Sequence, residues 1–171
     1  MSNANLTSIL NFSNRSTSSF ERLVSKGMVE AVSSCEVEFP DFILVACSGG
    51  PDSTALLISM VKAFPELRYI AGYFNHKIRD QDETAREAHF VSDIASKLGI
   101  EFATGDASNP IETEEQARIA RYKWLAEVCA ENAIRACVTG HHANDQAETA
   151  FFNLIRGSGA KGFSAMSPGS Y

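Results

Sequence analysis

The stretch Phe42-Ile43-Leu44-Val45-Ala46-Cys47-Ser48-Gly49-Gly50-Pro51-Asp52-Ser53 decides the fold class. Its first half is a continuous apolar run that Pro40-Asp41 separates from what precedes it, the pattern of a strand covered on both faces, as in parallel sheets. Its second half sets two adjacent glycines between serines and runs into Ala55, Leu56, Leu57, Ile58, Met60, Val61 and Phe64, a largely buried helix that Pro65 stops. A strand that hands over to a helix through such a turn brings backbone amides and the positive end of the helix dipole to bear on an anion. Ser48 and Ser53 add hydroxyls. The spacing fits neither G-x-x-x-x-G-K-S/T nor G-x-G-x-x-G, so neither a Walker site nor a dinucleotide fold is supported. The bland alternative is a strand-to-helix turn capped by Ser or Asp.

Outward from this turn, short apolar runs and amphipathic helices alternate. Residues 69–74 read as a second strand, and Ala85, Ala88, Val91, Ile94, Ala95 and Leu98 recur at helical spacing up to Gly99, placed as a C-terminal stop. Residues 100–104 form a weaker strand. Thr113-x-x-Gln116 is a capping box for a helix with Ala117, Ala120, Trp124, Leu125 and Val128 inward. Residues 136–139 give a fourth strand, and a last helix is expected over about 143–155. Upstream, Leu23, Val24, Met28, Val29 and Val32 predict a leading helix, while residues 1–18, rich in Ser, Asn and Thr, read as a flexible extension. The expectation is an α/β domain over 19–171: a doubly wound open parallel sheet with helices on both faces, Rossmann-like. Ligands of such sheets bind beyond the carboxyl ends of the strands, where strand order reverses. Segments 48–53, 75–79 and 140–145 all follow strands.

A chain of 171 residues with 44% hydrophobic content is long enough to bury a core as one domain. Cys35, Cys47, Cys129 and Cys137 include no C-x-x-C pair, three of them lie in apolar runs, and a reduced, cytoplasmic protein is expected. No basic leader precedes an apolar stretch and no window nears the roughly 20 apolar residues of a membrane span, so no membrane partner is expected. A net charge of −6 argues against a strong nucleic-acid binder.

The residues from 42 to 166 are similar to a known family. Ser48-Gly49-Gly50-Pro51-Asp52-Ser53 matches the SGGxDS loop of the N-type (PP-loop) ATP pyrophosphatases, whose fold is of the adenine nucleotide alpha hydrolase-like type. Asn75-His76-Lys77-Ile78-Arg79, the helix from Glu115 to Tyr122, Thr139-Gly140-His141-His142-Ala143-Asn144-Asp145-Gln146-Ala147-Glu148-Thr149, and Arg156-Gly157-Ser158-Gly159-Ala160-Lys161-Gly162 resemble, in order, the blocks of the tRNA(Ile)-lysidine synthases. The resemblance implies ATP and Mg²⁺ as cofactors, and tRNA(Ile) with a CAU anticodon and free L-lysine as partners. ATP would adenylate the C2 oxygen of the wobble cytidine, and the lysine amine would then displace AMP. Family members carry additional C-terminal domains that contribute tRNA binding; the chain is expected to be truncated before them, to bind ATP·Mg²⁺ and to modify tRNA poorly. A homodimer is left open.

Such chemistry brings polyphosphate and a weakly nucleophilic carbonyl oxygen together, so positioning and charge neutralisation are required. Asp52 and Asp145 are the expected metal-linked carboxylates, with Asp145 also a candidate base for the lysine amine; helix capping is the alternative for each. Ser48, Gly49, Gly50, Pro51, Asp52 and Ser53, with Asn75 and His76, are the expected nucleotide-binding residues, and Asn75, His76 and Arg79 border adenosine or cytidine. His141 is assigned to substrate orientation or charge stabilisation, with a capping or packing role the alternative for one of the pair His141 and His142. His141-His142-x-x-Asp145-x-x-Glu148 also reads as a transition-metal set, which leaves the glycine turn unexplained. Arg118, with Arg121 one helical turn on, either clamps phosphate or pairs with Glu114 and Glu115 on a solvated face. Arg156, Lys161 and the glycines around them form a basic loop facing RNA or a plain connection, and His89 is a surface or packing residue. A PP-loop thiolase is disfavoured by the absence of a cluster-binding cysteine set, and a nucleotide-binding regulatory module by the second acidic motif.

Overall fold

The computed structural model describes residues 18–34, 39–77, 81–108 and 111–140. Four helices and four strands alternate: α1 (Ser19–Ser34), β1 (Phe42–Ala46), α2 (Pro51–Ala63), β2 (Arg68–Asn75), α3 (Gln81–Leu98), β3 (Glu101–Asp106), α4 (Glu114–Glu131) and β4 (Ala136–Thr139). The strands pair in the order β3-β2-β1-β4, all parallel. Chain order runs outward from β1 to β3 and then returns to the other side of β1, so the reversal of direction falls at β1. Its carboxyl end is therefore flanked by strands on both sides, with Ala46 in register with Gly72 and with Thr139.

The apolar run that reads as a doubly covered strand divides its side chains by parity. Ile43, Val45 and Cys47 join Val24, Met28, Leu56, Leu57, Met60, Phe64, Val91 and Ala95 on one face, where α1, α2 and α3 pack. Phe42 and Leu44 turn the other way and meet Leu125, Val128, Cys129, Ile134 and Cys137, so that among the described residues α4 is the helix that covers the second face.

Several local signals set the boundaries. Ser18 Oγ accepts from the Glu21 amide at 3.1 Å while the Ser18 amide donates to Glu21 Oε2 at 3.3 Å, so the last residue expected in the extension is instead the cap of α1. The Thr113–Gln116 capping box is present with both of its reciprocal bonds. Gly99 has φ 69°, the left-handed geometry that ends α3. The Tyr69 hydroxyl donates to the Met60 and Phe64 carbonyls, both at 2.9 Å, satisfying acceptors that the end of α2 exposes. The leading helix is present, and within it Leu23 is 42% exposed, because the inward stripe of α1 runs through Val24, Met28 and Val32. Its neighbour in the heptad sense, Phe20, is also exposed. The expected helix over 143–155 lies outside the described residues. Among those described, no helix is long and apolar enough to cross a membrane.

Candidate active site at the carboxyl ends of the strands

The turn after β1 is organised around one buried hydroxyl. Ser53 Oγ accepts from the Ser48 amide at 3.1 Å, donates to the Gly50 carbonyl at 3.1 Å and lies 3.2 Å from Ser48 Oγ. The Gly50 amide reaches Ser48 Oγ at 3.4 Å, and the Cys47 amide ties the start of the turn to Gly72 O at 2.8 Å. Gly49 takes φ 82°, a conformation that L side chains rarely adopt. Gly50 is the N-cap of α2, with no side-chain cap hydrogen bond, and Pro51 follows in the first turn. The helix is therefore not capped by Ser or Asp, and the bland reading of the turn is not the one realised. Asp52 stands exposed in that first turn.

Beyond the turn opens a cavity of about 740 Å³, within the range of small-molecule sites. Ser48, Gly50 and Ser53 form one wall; Gly72 to Lys77, at the end of β2, continue it; Thr84 and Glu87 come from α3, and Ala117, Arg118, Arg121, Trp124 and Leu125 from α4. Thr139 and Gly140 close it from β4. A Cβ at Gly140 would lie 3.6 Å from Ser53 Cα, so the end of β4 passes directly beside the turn.

Asn75, His76 and Arg118, expected at the site, thus line the same cavity as the glycine turn. Asn75 Nδ2 donates to Asp106 Oδ1 at 2.7 Å while Asn75 Oδ1 accepts from the Lys77 amide at 2.8 Å, where Lys77 has φ 56°. The asparagine side chain shapes the bend after β2. His76 Nδ1 is shielded from solvent without a hydrogen bond among the described residues, and the ring meets Phe74 edge-on at 5.1 Å. Burial, and then the positive charge of Arg121, hold the imidazole below its ordinary pKa.

The two arginines differ in setting. Arg118 holds Glu115 through two bonds of 2.9 and 3.0 Å at the cavity rim, which raises the guanidinium pKa and lowers that of the carboxylate. Arg121 is half-buried, 5.4 Å over the Tyr122 ring. The solvated pairing with Glu115 is therefore realised, on a residue that also faces the cavity. His89 sits on the surface near Asp93, at 3.6 Å.

Trp124 and Glu87 belong to the site although nothing in the sequence marked them for it. The Trp124 indole lies across the sheet where β2 and β3 carry glycine: a Cβ at Gly105 would collide with the ring, and one at Gly72 would stand 3.4 Å from it. The signal that finds this is a glycine on each of two adjacent strands, Gly72 beside Ala103 and Gly105 beside Phe74, beneath a helix with an aromatic residue. His141, His142, Asp145, Arg79 and the basic loop around Lys161 lie outside the described residues.

Comparisons agree with this geometry. A family model described as a PP-loop domain matches residues 18–170. Among curated relatives, the tRNA(Ile)-lysidine synthase of Bdellovibrio bacteriovorus is 42% identical over 125 residues, covering 72% of this chain and 40% of the relative. That of Chlorobaculum tepidum is 38% identical over 131 residues, covering 71% and 39%. The chain thus spans about 40% of the length of these relatives. Among solved structures, the U34-tRNA thiolase NcsA from Methanococcus maripaludis superimposes with a TM-score of 0.58 over 72% of this chain and 44% of that one, at 17% identity, a likeness of fold.

Proposed function

The chain belongs to the PP-loop domain family, and from that premise we propose that it forms the ATP-binding catalytic part of a tRNA(Ile)-lysidine synthase. In the proposed reaction the C2 oxygen of the wobble cytidine attacks the α-phosphorus of ATP and pyrophosphate leaves. The lysine ε-amine then attacks C2, AMP leaves, and the amine proton passes to a base. The observation that carries the reading is the glycine turn at the point of strand reversal, facing Arg118 and Arg121 across one cavity. The relatives' names support tRNA(Ile) as the acceptor, and the wobble cytidine and the lysine amine follow from the family resemblance of the sequence blocks.

In this scheme the amides and hydroxyls of residues 48–53 hold the phosphates of ATP, and the arginines of α4 neutralise charge that develops on the transferring group. The walls contributed by Phe74, His76 and Trp124 give the cavity an aromatic side suited to a nucleobase. Among the described residues no group of three or more His, Cys, Asp or Glu gathers as a metal cage. The exposed carboxylate of Asp52, in the first turn of the helix that follows the glycine turn, fits Mg²⁺, which is commonly held by one or two carboxylates together with substrate phosphates. Asp52 would hold it, with Asp145 as the second carboxylate that the sequence nominates, and the ion would offset the charge of the departing pyrophosphate.

The test supplies the full-length enzyme with ATP, unmodified tRNA(Ile) and each amino acid in turn, and measures pyrophosphate and AMP. Pyrophosphate release that requires the tRNA, followed by AMP release only with lysine, is expected. Release dependent on a sulfur donor, or independent of tRNA, overturns the proposal.

A further inference from the structure

We propose that Asp106 is a positioning residue that sets the His76 ring in the nucleobase wall of the cavity, acting from the end of β3 through the side chain of Asn75. The placement of the ring is independent of the function proposed above; only its consequence for ATP rests on that reading.

His76 lines the cavity, and the residues on either side of it carry the constraint. Before it, Asn75 stands in register with Asp106 across β2 and β3. The Ala107 amide donates to the Asn75 carbonyl at 2.9 Å, so the main chain is fixed up to the last residue of the strand. After it, Lys77 has φ 56°, a left-handed backbone that a lysine holds only where its surroundings impose it. The Asn75 carboxamide imposes it: Oδ1 accepts from the Lys77 amide at 2.8 Å and closes an Asx turn around His76.

A carboxamide can be turned over, exchanging its oxygen for its nitrogen, and only one of the two orientations accepts from Lys77. Asp106 selects that orientation. Its ionised carboxylate can only accept, so the 2.7 Å bond at Asp106 Oδ1 takes its proton from Asn75 Nδ2. With Nδ2 committed to β3, Oδ1 faces the turn. Asp106 is not one of the residues that line the cavity, so its effect there passes through Asn75. The ring so placed has Nδ1 shielded from solvent and meets Phe74 edge-on at 5.1 Å, with Phe74 in turn 5.5 Å from Trp124. Burial and then Arg121, reaching in from α4, lower its pKa.

Two neutral substitutions separate the acceptor from the charge. Asp106→Asn keeps an oxygen for Asn75 Nδ2, Asp106→Ala keeps none, and both remove the same negative charge. Asp106 is exposed, so both variants are expected to fold, which thermal unfolding checks. His76 is then titrated by NMR in each, its resonance identified by its loss in His76→Gln. The expected result is a higher His76 pKa in Asp106→Ala than in Asp106→Asn, because a released ring gains water. Loss of the carboxylate charge acts in the opposite direction and equally in both, so it drops out of the difference. ATP affinity, read by calorimetry, should be about fivefold weaker in Asp106→Ala than in Asp106→Asn, the effect of one hydrogen bond. Coincident His76 titrations in the two variants overturn the proposal, as does equal ATP affinity in them when the parent binds ATP. A parent that binds no ATP defeats the reading of function alone, and the His76 titrations then decide the positioning by themselves.

Discussion

The two faces of the sheet are built for different purposes. On one, α1, α2 and α3 interlock over Ile43, Val45, Ala71 and Val138, and Leu57, Met60 and Phe64 are fully shielded from water. On the other, among the described residues, α4 alone crosses the strands, and its amino-terminal half faces a cavity rather than a packed layer. The glycine turn leaves β1 between these regimes: its Ser53 is anchored at the start of the interlocked α2, while Ser48 and Gly50 open to the cavity. Rigid packing on one side thus holds a binding surface exposed on the other, the division of labour expected where catalytic groups ride on loops of a firm scaffold.

The sharpest way to break the comparison is to empty the filled side. Leu57→Ala should cost about 2–5 kcal/mol of stability, since a fully buried side chain leaves a void that α1 and α2 cannot close. Denaturant unfolding reads the loss. ATP affinity of the remaining folded chain should hold; if it falls in step with stability, the two faces are not separable.

Gly49→Ala probes the boundary. Its Cβ would meet Glu87 at an ordinary 3.6 Å, so space is not the obstacle; φ 82° is. The strain is expected to cost about 1–2 kcal/mol and to weaken ATP more than Leu57→Ala does, because relief would come from distorting the turn. Equal ATP affinity in parent and Gly49→Ala would remove the turn from phosphate binding.

A smaller effect belongs to the cavity side. His76 has its folded pKa lowered from 6.5, by burial and then by Arg121. Above 6.5 the imidazole is neutral in both folded and unfolded chains and contributes no pH dependence. As pH falls below that value the unfolded chain takes up the proton first, so stability declines until the folded pKa is reached. Unfolding curves between pH ~7.5 and ~5.5 should show this decline, and His76→Gln should flatten it. An unchanged slope in the variant assigns the titration elsewhere.

How much of this was legible before the structure depends on the range of the contacts. The apolar run 42–47, the stop at Gly99 and the Thr113–Gln116 box rest on neighbours within a few residues, and each element appears where its pattern places it. The family blocks located Ser48, Asn75, His76 and Arg118, which line one cavity. Glu87 and Trp124 escaped because their roles arise across the fold: one by lining the cavity near Gly49, 38 positions away by the difference of the two numbers, the other by resting on glycines of two strands. Helical periodicity marks Trp124 as inward, which it is, but cannot tell a packed interior from the floor of a cavity. Leu23 shows the converse, an apolar residue beside a buried stripe that faces out.

The smallest expected effect decides the role left open for Arg118. Its guanidinium and Glu115 form a fork at the rim, both well exposed, and pairs in that setting add little to stability because water and salt screen them and two long side chains must be held still. Neither Arg118→Ala nor Glu115→Gln should change the thermal midpoint measurably. Their effects on ATP should differ in sign. If the fork is a solvated pair and nothing more, both leave ATP affinity untouched. If Arg118 reaches phosphate, Glu115 competes with the ligand for the same donors; Arg118→Ala then weakens ATP, whereas Glu115→Gln releases the guanidinium and tightens it. Raising the salt concentration should shrink that gain, since it already loosens the fork in the parent chain. Opposite shifts with an unmoved midpoint would place Arg118 with the turn across the cavity, and matching null results would leave that work to the deeper Arg121.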